Sequence, residues 1–171
     1  LAINLYSYVV NQFTKDAYFD FDLFKKHVGL AQRIMDDIID LELEKIEKIM
    51  EKIESDPENE EVKGAERHLW QKIYKKSGQG RRTGVGITAE GDMIAAMGLR
   101  YGTEEATAFS EEVHKTIALE AYRSSVNMAK ERGAFAIYDW EREKNNPFVN
   151  RIKEADPALY EEMKQYGRRN I

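Results

Sequence analysis

The side chains able to do chemistry in this sequence are few, and they are acidic and basic groups rather than thiols. Glu111-x-x-His114 has the i, i+3 spacing that puts a carboxylate and an imidazole on one helix face. Di-iron bundles use two such pairs, with one further Glu from each of two other helices. A second pair would need a carboxylate three residues before His27 or His68, and Phe24 and Ala65 stand there. A solvated helix face is the better reading of Glu111 and His114. Asp36, Asp37 and Asp40 form a second acidic group, with Asp36 and Asp40 one helical turn apart. Paired carboxylates do acid–base work when their environments split their pKa values. Within a charged helix the plainer expectation is solvation, or pairing with nearby Arg33.

Gly84-Val85-Gly86 between a strand signal and a helix signal has the look of a nucleotide loop. The next glycine, Gly91, comes too late for G-x-G-x-x-G and falls inside the expected helix, and no parallel βαβ context is evident. Close strand packing is the expected role of Gly84 and Gly86. Phe135, Tyr138, Trp70 and Trp140 are not interleaved with a basic patch, so they read as packing rather than a base-stacking platform. No Ser and His stand in a nucleophile motif. The chain has no cysteine, which excludes disulfides, thiolate metal sites and cysteine nucleophiles. No catalytic, cofactor-binding or metal-ligating residue is therefore assigned.

The elements that must position these groups are mostly helical. Charged residues make up 33% of the 171 and apolar ones 42%, as expected of a helix-rich globular chain with a single sizeable core. A net charge of −5 argues against direct nucleic-acid binding, and no apolar run is long enough to span a bilayer. Residues 1–10, rich in Ile3, Tyr6, Tyr8, Val9 and Val10, predict a strand. A long amphipathic helix is expected from about Asp22 to Glu54, with Val28, Ala31, Ile34, Met35, Ile38 and Ile39 on one side and Ile46, Ile49, Met50 and Ile53 continuing the stripe. Pro57 separates it from a second helix, about Glu58 to Lys75, carrying Val62, Leu69, Trp70 and Ile73. Ser77-Gly78-Gln79-Gly80 reads as a turn, and residues 81–87 as a short strand. Thr88 should cap a helix through Leu99, and Thr103 another that runs to Arg132 with Gly133 as its stop. Residues 134–138 look strand-like. Asp139, Pro147 and Asp156-Pro157 open three short helices, and Gly167 ends the last.

Three stretches in order resemble the ribonucleotide reductase large subunit. Leu1-Ala2-Ile3-Asn4-Leu5 is similar to the family's strand that has just passed a redox cysteine. Arg81-Arg82-Thr83-Gly84-Val85-Gly86-Ile87, followed by Gly91-Asp92 and Gly98-Leu99-Arg100-Tyr101, resembles its Arg-Arg-x-Gly-x-Gly-Val strand and the helix after it. Glu104-Glu105-Ala106 and the helix into Gly133 continue that likeness. Tyr166-Gly167-Arg168-Arg169-Asn170 is similar to the family's Gly-Leu-Arg-Asn turn ahead of the substrate-phosphate loop. Residues 42–77 look like a charged helical insertion, and Ala89-Glu90-Gly91-Asp92 departs from the family's Gly-Leu-Ala-Asp.

The resemblance implies an internal piece, mainly α with two or three short strands, of the family's ten-stranded α/β barrel. Residues 1–16 would give a barrel strand and turn, 17–77 the long helix and insertion, and 78–171 a strand, helices and C-terminal turn, all in a single fragment. It implies ribonucleoside-diphosphate reduction by thiyl-radical chemistry, with adenosylcobalamin serving the full-length enzyme and none expected on this piece. The implied partners are the remainder of the catalytic chain and, in the whole enzyme, a ribonucleotide. Neither nucleic acid nor a membrane is expected, the setting is cytoplasmic, and the isolated chain would be inactive and self-associating. The competing expectations are an all-α interaction module binding through residues 42–77, and a di-iron bundle at Glu111 and His114.

Overall fold

A computed structural model describes residues 1–170. Ile171 lies outside the described residues. The order of elements is β1 (Ala2–Asn4), a 3-10 helix (Leu5–Tyr8), β2 (Val9–Val10), β3 (Tyr18–Phe19), α1 (Phe21–Ser55), α2 (Glu60–Gly80), β4 (Gly86–Thr88), α3 (Glu90–Ala96), α4 (Glu104–Arg132), α5 (Trp140–Glu143), α6 (Pro147–Ala155) and α7 (Pro157–Tyr166). The architecture is mainly helical with short strands. The chain divides into two compact units: Leu1–Arg33 with Gly84–Ser125, and Ile34–Thr83 with the chain from Val126 onward.

In the first unit β1 and β4 pair in parallel, Ile3 opposite Ile87, and β2 and β3 pair antiparallel, Val9 opposite Phe19. The expected strand over residues 1–10 is thus interrupted. The 3-10 turn puts Leu5 and Tyr8, three residues apart, on one side, and both are buried beside Phe19, Phe24, Val28, Met93 and Val113. Continuous extended chain would have sent them to opposite faces. The Tyr8 ring lies edge-on to Phe24 at 4.9 Å, and its hydroxyl bonds His27 Nδ1 at 3.0 Å. The parallel context absent from the sequence reading exists, but the link from β1 to β4 is no short crossover. Gly84 and Gly86 have nothing within 4 Å of where a Cβ would stand, so close packing does not explain them. The expected strand over residues 81–87 shrinks to Gly86–Thr88. Thr88 belongs to that strand, and Ala89, at φ 60°, precedes α3 in its place. That helix stops at Ala96, short of the expected Leu99.

In the second unit the C-terminal part of α1 and α2 form an antiparallel hairpin. Arg67 Nη2 donates to Glu54 Oε2 at 3.0 Å, Tyr74 to Glu47 at 2.7 Å and Ser77 to Glu42 at 2.9 Å. Asn59 caps α2 through Val62 N, so the helix begins at Glu60, two residues after the expected Glu58. Residues 77–80 were expected to turn, yet they stay helical. Ser77 is tied to Glu42, and a Cβ on Gly78 would stand 3.8 Å from the Leu43 side chain, so packing overrides the weak helix propensity of glycine. Residues 134–138 form a turn in place of the expected strand: Phe135 N–H donates to the Arg168 carbonyl, and Tyr138 N–H to the Phe135 carbonyl. The expected caps Asp139, Asn146 ahead of Pro147, and Asp156 all accept backbone N–H bonds.

Ile34 and Ile38, expected in the stripe of α1, are 49% and 45% exposed. The buried line runs instead through Val28, Ala31, Gln32, Asp36, Ile39, Ile46 and Ile53. Val62 and Leu69 are likewise exposed, and Trp70 is half-buried.

Gly167 sits at φ 74° and ψ −162°, where L side chains are strained. A Cβ there would stand 2.8 Å from Ala134 Cβ and 3.0 Å from the Tyr138 ring. Gly167→Ala is expected to cost about 2–4 kcal/mol by strain and overpacking, read from the urea midpoint.

Candidate functional site

A carboxylate on the buried line of α1 has to be paired, because an unpaired buried charge costs several kcal/mol. Asp36 is fully buried. Its Oδ1 accepts from Arg81 Nε at 2.9 Å, Arg81 Nη2 at 2.7 Å and Asn170 Nδ2 at 3.1 Å. Its Oδ2 accepts from Arg132 Nη1 at 3.1 Å and Arg169 Nε at 3.3 Å. Arg81 also reaches Asp40 Oδ1 at 2.7 Å and the Asp36 carbonyl at 3.0 Å, and Arg132 reaches Asp37 Oδ1 at 2.8 Å. Arg169 Nη1 donates to the Arg132 and Gly133 carbonyls at 3.3 and 3.4 Å.

Each guanidinium arrives from a helix C-terminus, where a cation also meets the negative end of the helix dipole. Arg81 caps α2 in the left-handed conformation, φ 42°, with its N–H on the Ser77 carbonyl at 2.9 Å. Arg132 is the last residue of α4, ahead of Gly133 at φ 84°. Arg169 and Asn170 follow the Gly167 stop of α7. Beside them, buried Arg168 pairs with Glu143 at 2.8 Å and lies over the Phe135 ring at 5.9 Å.

The electrostatics suit a clamp rather than a reacting group. Burial, the largest single effect on Asp36, pushes its carboxyl up, but hydrogen bonds and charge from Arg81 and then Arg169 outweigh it and hold it below the usual carboxylate range. Asp36 is therefore ionised at neutral pH, with both oxygens occupied by donors. The carboxylate oxygens of Asp36, Asp37 and Asp40 come within 4.8 Å of one another, the arrangement of a cation site, and guanidinium groups supply the cations. Tyr138, whose hydroxyl donates to the Met163 carbonyl at 2.9 Å, is pushed up to about 12 by burial.

The other sequence candidates stay apart from this cluster. Glu111 and His114 are exposed on α4. His114 Nδ1 donates to the Ser110 carbonyl at 2.8 Å and lies 4.0 Å from Glu90 Oε1. Among the described residues they join no group of three metal-ligand types. Trp140 packs edge-on to Tyr160 at 5.2 Å and Phe135 to Tyr138 at 5.5 Å, in keeping with packing roles.

Residues 2–171 match the family of the ribonucleotide reductase barrel domain. The chain belongs to that family. It is 28% identical over 145 residues to the vitamin B12-dependent ribonucleoside-diphosphate reductase of Thermoplasma acidophilum, covering 83% of this chain and 15% of that protein. A reductase of the same name from Mycobacterium tuberculosis is 24% identical over 137 residues, covering 80% and 16%. The ribonucleoside-diphosphate reductase subunit alpha of Chlamydia pneumoniae is 27% identical over 144 residues, covering 82% and 11%. This barrel-domain chain thus spans about one-sixth or less of the length of these relatives. No helix among the described residues is long and apolar enough to cross a membrane.

Two of the stretches that carry the resemblance, Arg81-Arg82 and Arg168-Arg169-Asn170, meet at Asp36. The partner the sequence suggests for the aspartates is Arg33, a neighbour on their own helix. The partners found for Asp36 stand 45 to 134 residues away. The available signal was a carboxylate falling in step with Val28 and Ile39 on a buried helix line.

Asp36→Asn is expected to destabilise the chain by about 3–5 kcal/mol at pH 7, since buried Arg81 keeps only Asp40 as counter-charge and Arg169 loses its carboxylate. The folded-state pKa of Asp36 is depressed, so its contribution is complete above the unfolded value of about 3.9 and is lost as pH falls through the lower folded value. Urea unfolding across pH 2–7 should show the gap between native and Asp36→Asn proteins closing below about pH 4. A gap that persists unchanged at pH 2 would show that charge is not its origin.

Proposed function

We propose that these residues are part of the barrel frame of a ribonucleoside-diphosphate reductase, which makes deoxyribonucleotides by thiyl-radical chemistry. The family match over residues 2–171 carries this reading, and the names of the relatives from Thermoplasma and Mycobacterium support adenosylcobalamin as cofactor of the complete enzyme. The setting is cytoplasmic, and the principal partner is the remainder of the catalytic polypeptide. The architecture is read as one slice of a ten-stranded α/β barrel, with β1 and β4 as neighbouring parallel staves.

The residues present do not fit the cofactor. No cysteine offers a thiol from which a hydrogen atom could be drawn, His27, His68 and His114 are all exposed, and the carboxylates of the Asp36 cluster are taken by arginines. The chain's contribution is positional. Asp36 and its arginines fix the ends of α2, α4 and α7, and the first unit holds β1 against β4.

The test is ribonucleoside-diphosphate reduction with adenosylcobalamin and a dithiol. The 171-residue chain alone should form no deoxyribonucleotide, while the full reductase polypeptide containing it should turn over. Turnover by the bare chain would overturn the frame reading; a complete polypeptide without activity would overturn the reductase reading. Each strand pair has only two strands among the described residues, and Leu30, Ile34, Ile38 and Leu41 are exposed on α1. Unpaired edges and apolar faces recruit partners. Sedimentation of the isolated chain should therefore show self-association that grows with concentration, and a strict monomer at high concentration would count against it.

A further inference from the structure

The hydrogen bonds along the α1–α2 hairpin end in a buried arginine that shares its acceptor with Asn170. From the tip inward, Lys63 Nζ holds the Glu54 carbonyl at 3.0 Å, Arg67 the Glu54 carboxylate, Tyr74 Glu47 and Ser77 Glu42. These bonds set the register of α2 against α1. Arg81 follows directly, turned inward by its left-handed backbone, and its guanidinium seats on Asp36 and Asp40. Sliding α2 by one residue would move that guanidinium by about 1.5 Å, enough to break bonds of this length.

On the other side, Asp36 Oδ1 takes the Asn170 carboxamide and Oδ2 takes Arg169. That segment carries the Arg168 carbonyl, which accepts Phe135 N–H at 2.9 Å. Moving Arg81 changes the charge balance and the orientation of a carboxylate on which residues 169 and 170 both depend.

We propose that Asp36 is a positioning residue that couples the register of the 42–80 hairpin to the placement of residues 168–170. Whatever binds or bends the hairpin is thereby transmitted to the chain after α7. The inference rests on this geometry alone and is independent of the reductase chemistry.

Hydrogen–deuterium exchange of the whole reductase polypeptide, read by mass spectrometry, tests it. The reporters are peptides containing Phe135 and Gly167, whose N–H groups bond the Arg168 and Met163 carbonyls. Arg81→Lys keeps the charge but loses the forked geometry, and should speed exchange of the Phe135 reporter at least tenfold while residues 147–155 of α6 stay as slow as before. Asn170→Ala should do the same. The double variant should add little to either, because both act through one carboxylate. If Arg81→Lys prevents folding, the half-buried pair of changes Tyr74→Phe with Ser77→Ala loosens the hairpin instead, with an expected rise of about two- to fivefold at Phe135. Unchanged exchange at Phe135 in both the Arg81 and hairpin variants would overturn the coupling. So would fully multiplicative effects in the double variant.

Discussion

A single carboxylate placed where a helix should be apolar organises the second unit of this chain. Asp36 stands on the buried line of a 35-residue helix, and its removal from water is tolerable only because several donors converge on it. Those donors cannot come from one neighbour. Oδ1 is filled by the end of α2 and by Asn170, and Oδ2 by the ends of α4 and α7. Three helices are obliged to stop at defined residues so that their last side chains can turn inward. The left-handed conformations at Arg81, Gly133 and Gly167 are the backbone's part in that obligation.

The first unit is held by different means. Its core is aromatic and aliphatic, with Phe24 edge-on to both Phe19 and Tyr8, and Leu5, Met93 and Val113 closing around them. Its buried polar residues, Gln32, Thr116 and Ser125, are all uncharged. The contrast follows from the elements: short strands bury alternate side chains without surrendering charge, whereas the end of a helix brings unsatisfied carbonyls that welcome a cation.

The helices were legible because their signals are local. Asp139, Asp156, Gly133 and the proline at 157 act within a few residues of themselves, and the structure uses each as expected. The failures lie where distant packing decides. Residues 77–80 stay helical because Glu42 and Leu43 face them, and residues 5–8 coil because two large side chains must enter one core. The site was half legible: the aspartate cluster and both arginine motifs stood out separately, but nothing local says that Arg81 and Asn170 meet the same oxygen. The exposed Ile34 and Ile38 were misread for the reciprocal reason, since hydropathy alone could not tell that Asp36 holds the inner face.

The convergence at Asp36 also bears on how such a sequence can drift. Arginine fits because its planar fork serves two acceptors at once, as Arg81 does for Asp36 and Asp40, while Arg132 bridges Asp36 and Asp37 through Nη1. A lengthened acid, a shortened base or a helix ending one residue early each spoils several bonds together. A change at any one of these positions therefore has to be compensated at the others, whereas a change on the solvated outer faces of the hairpin leaves these bonds intact.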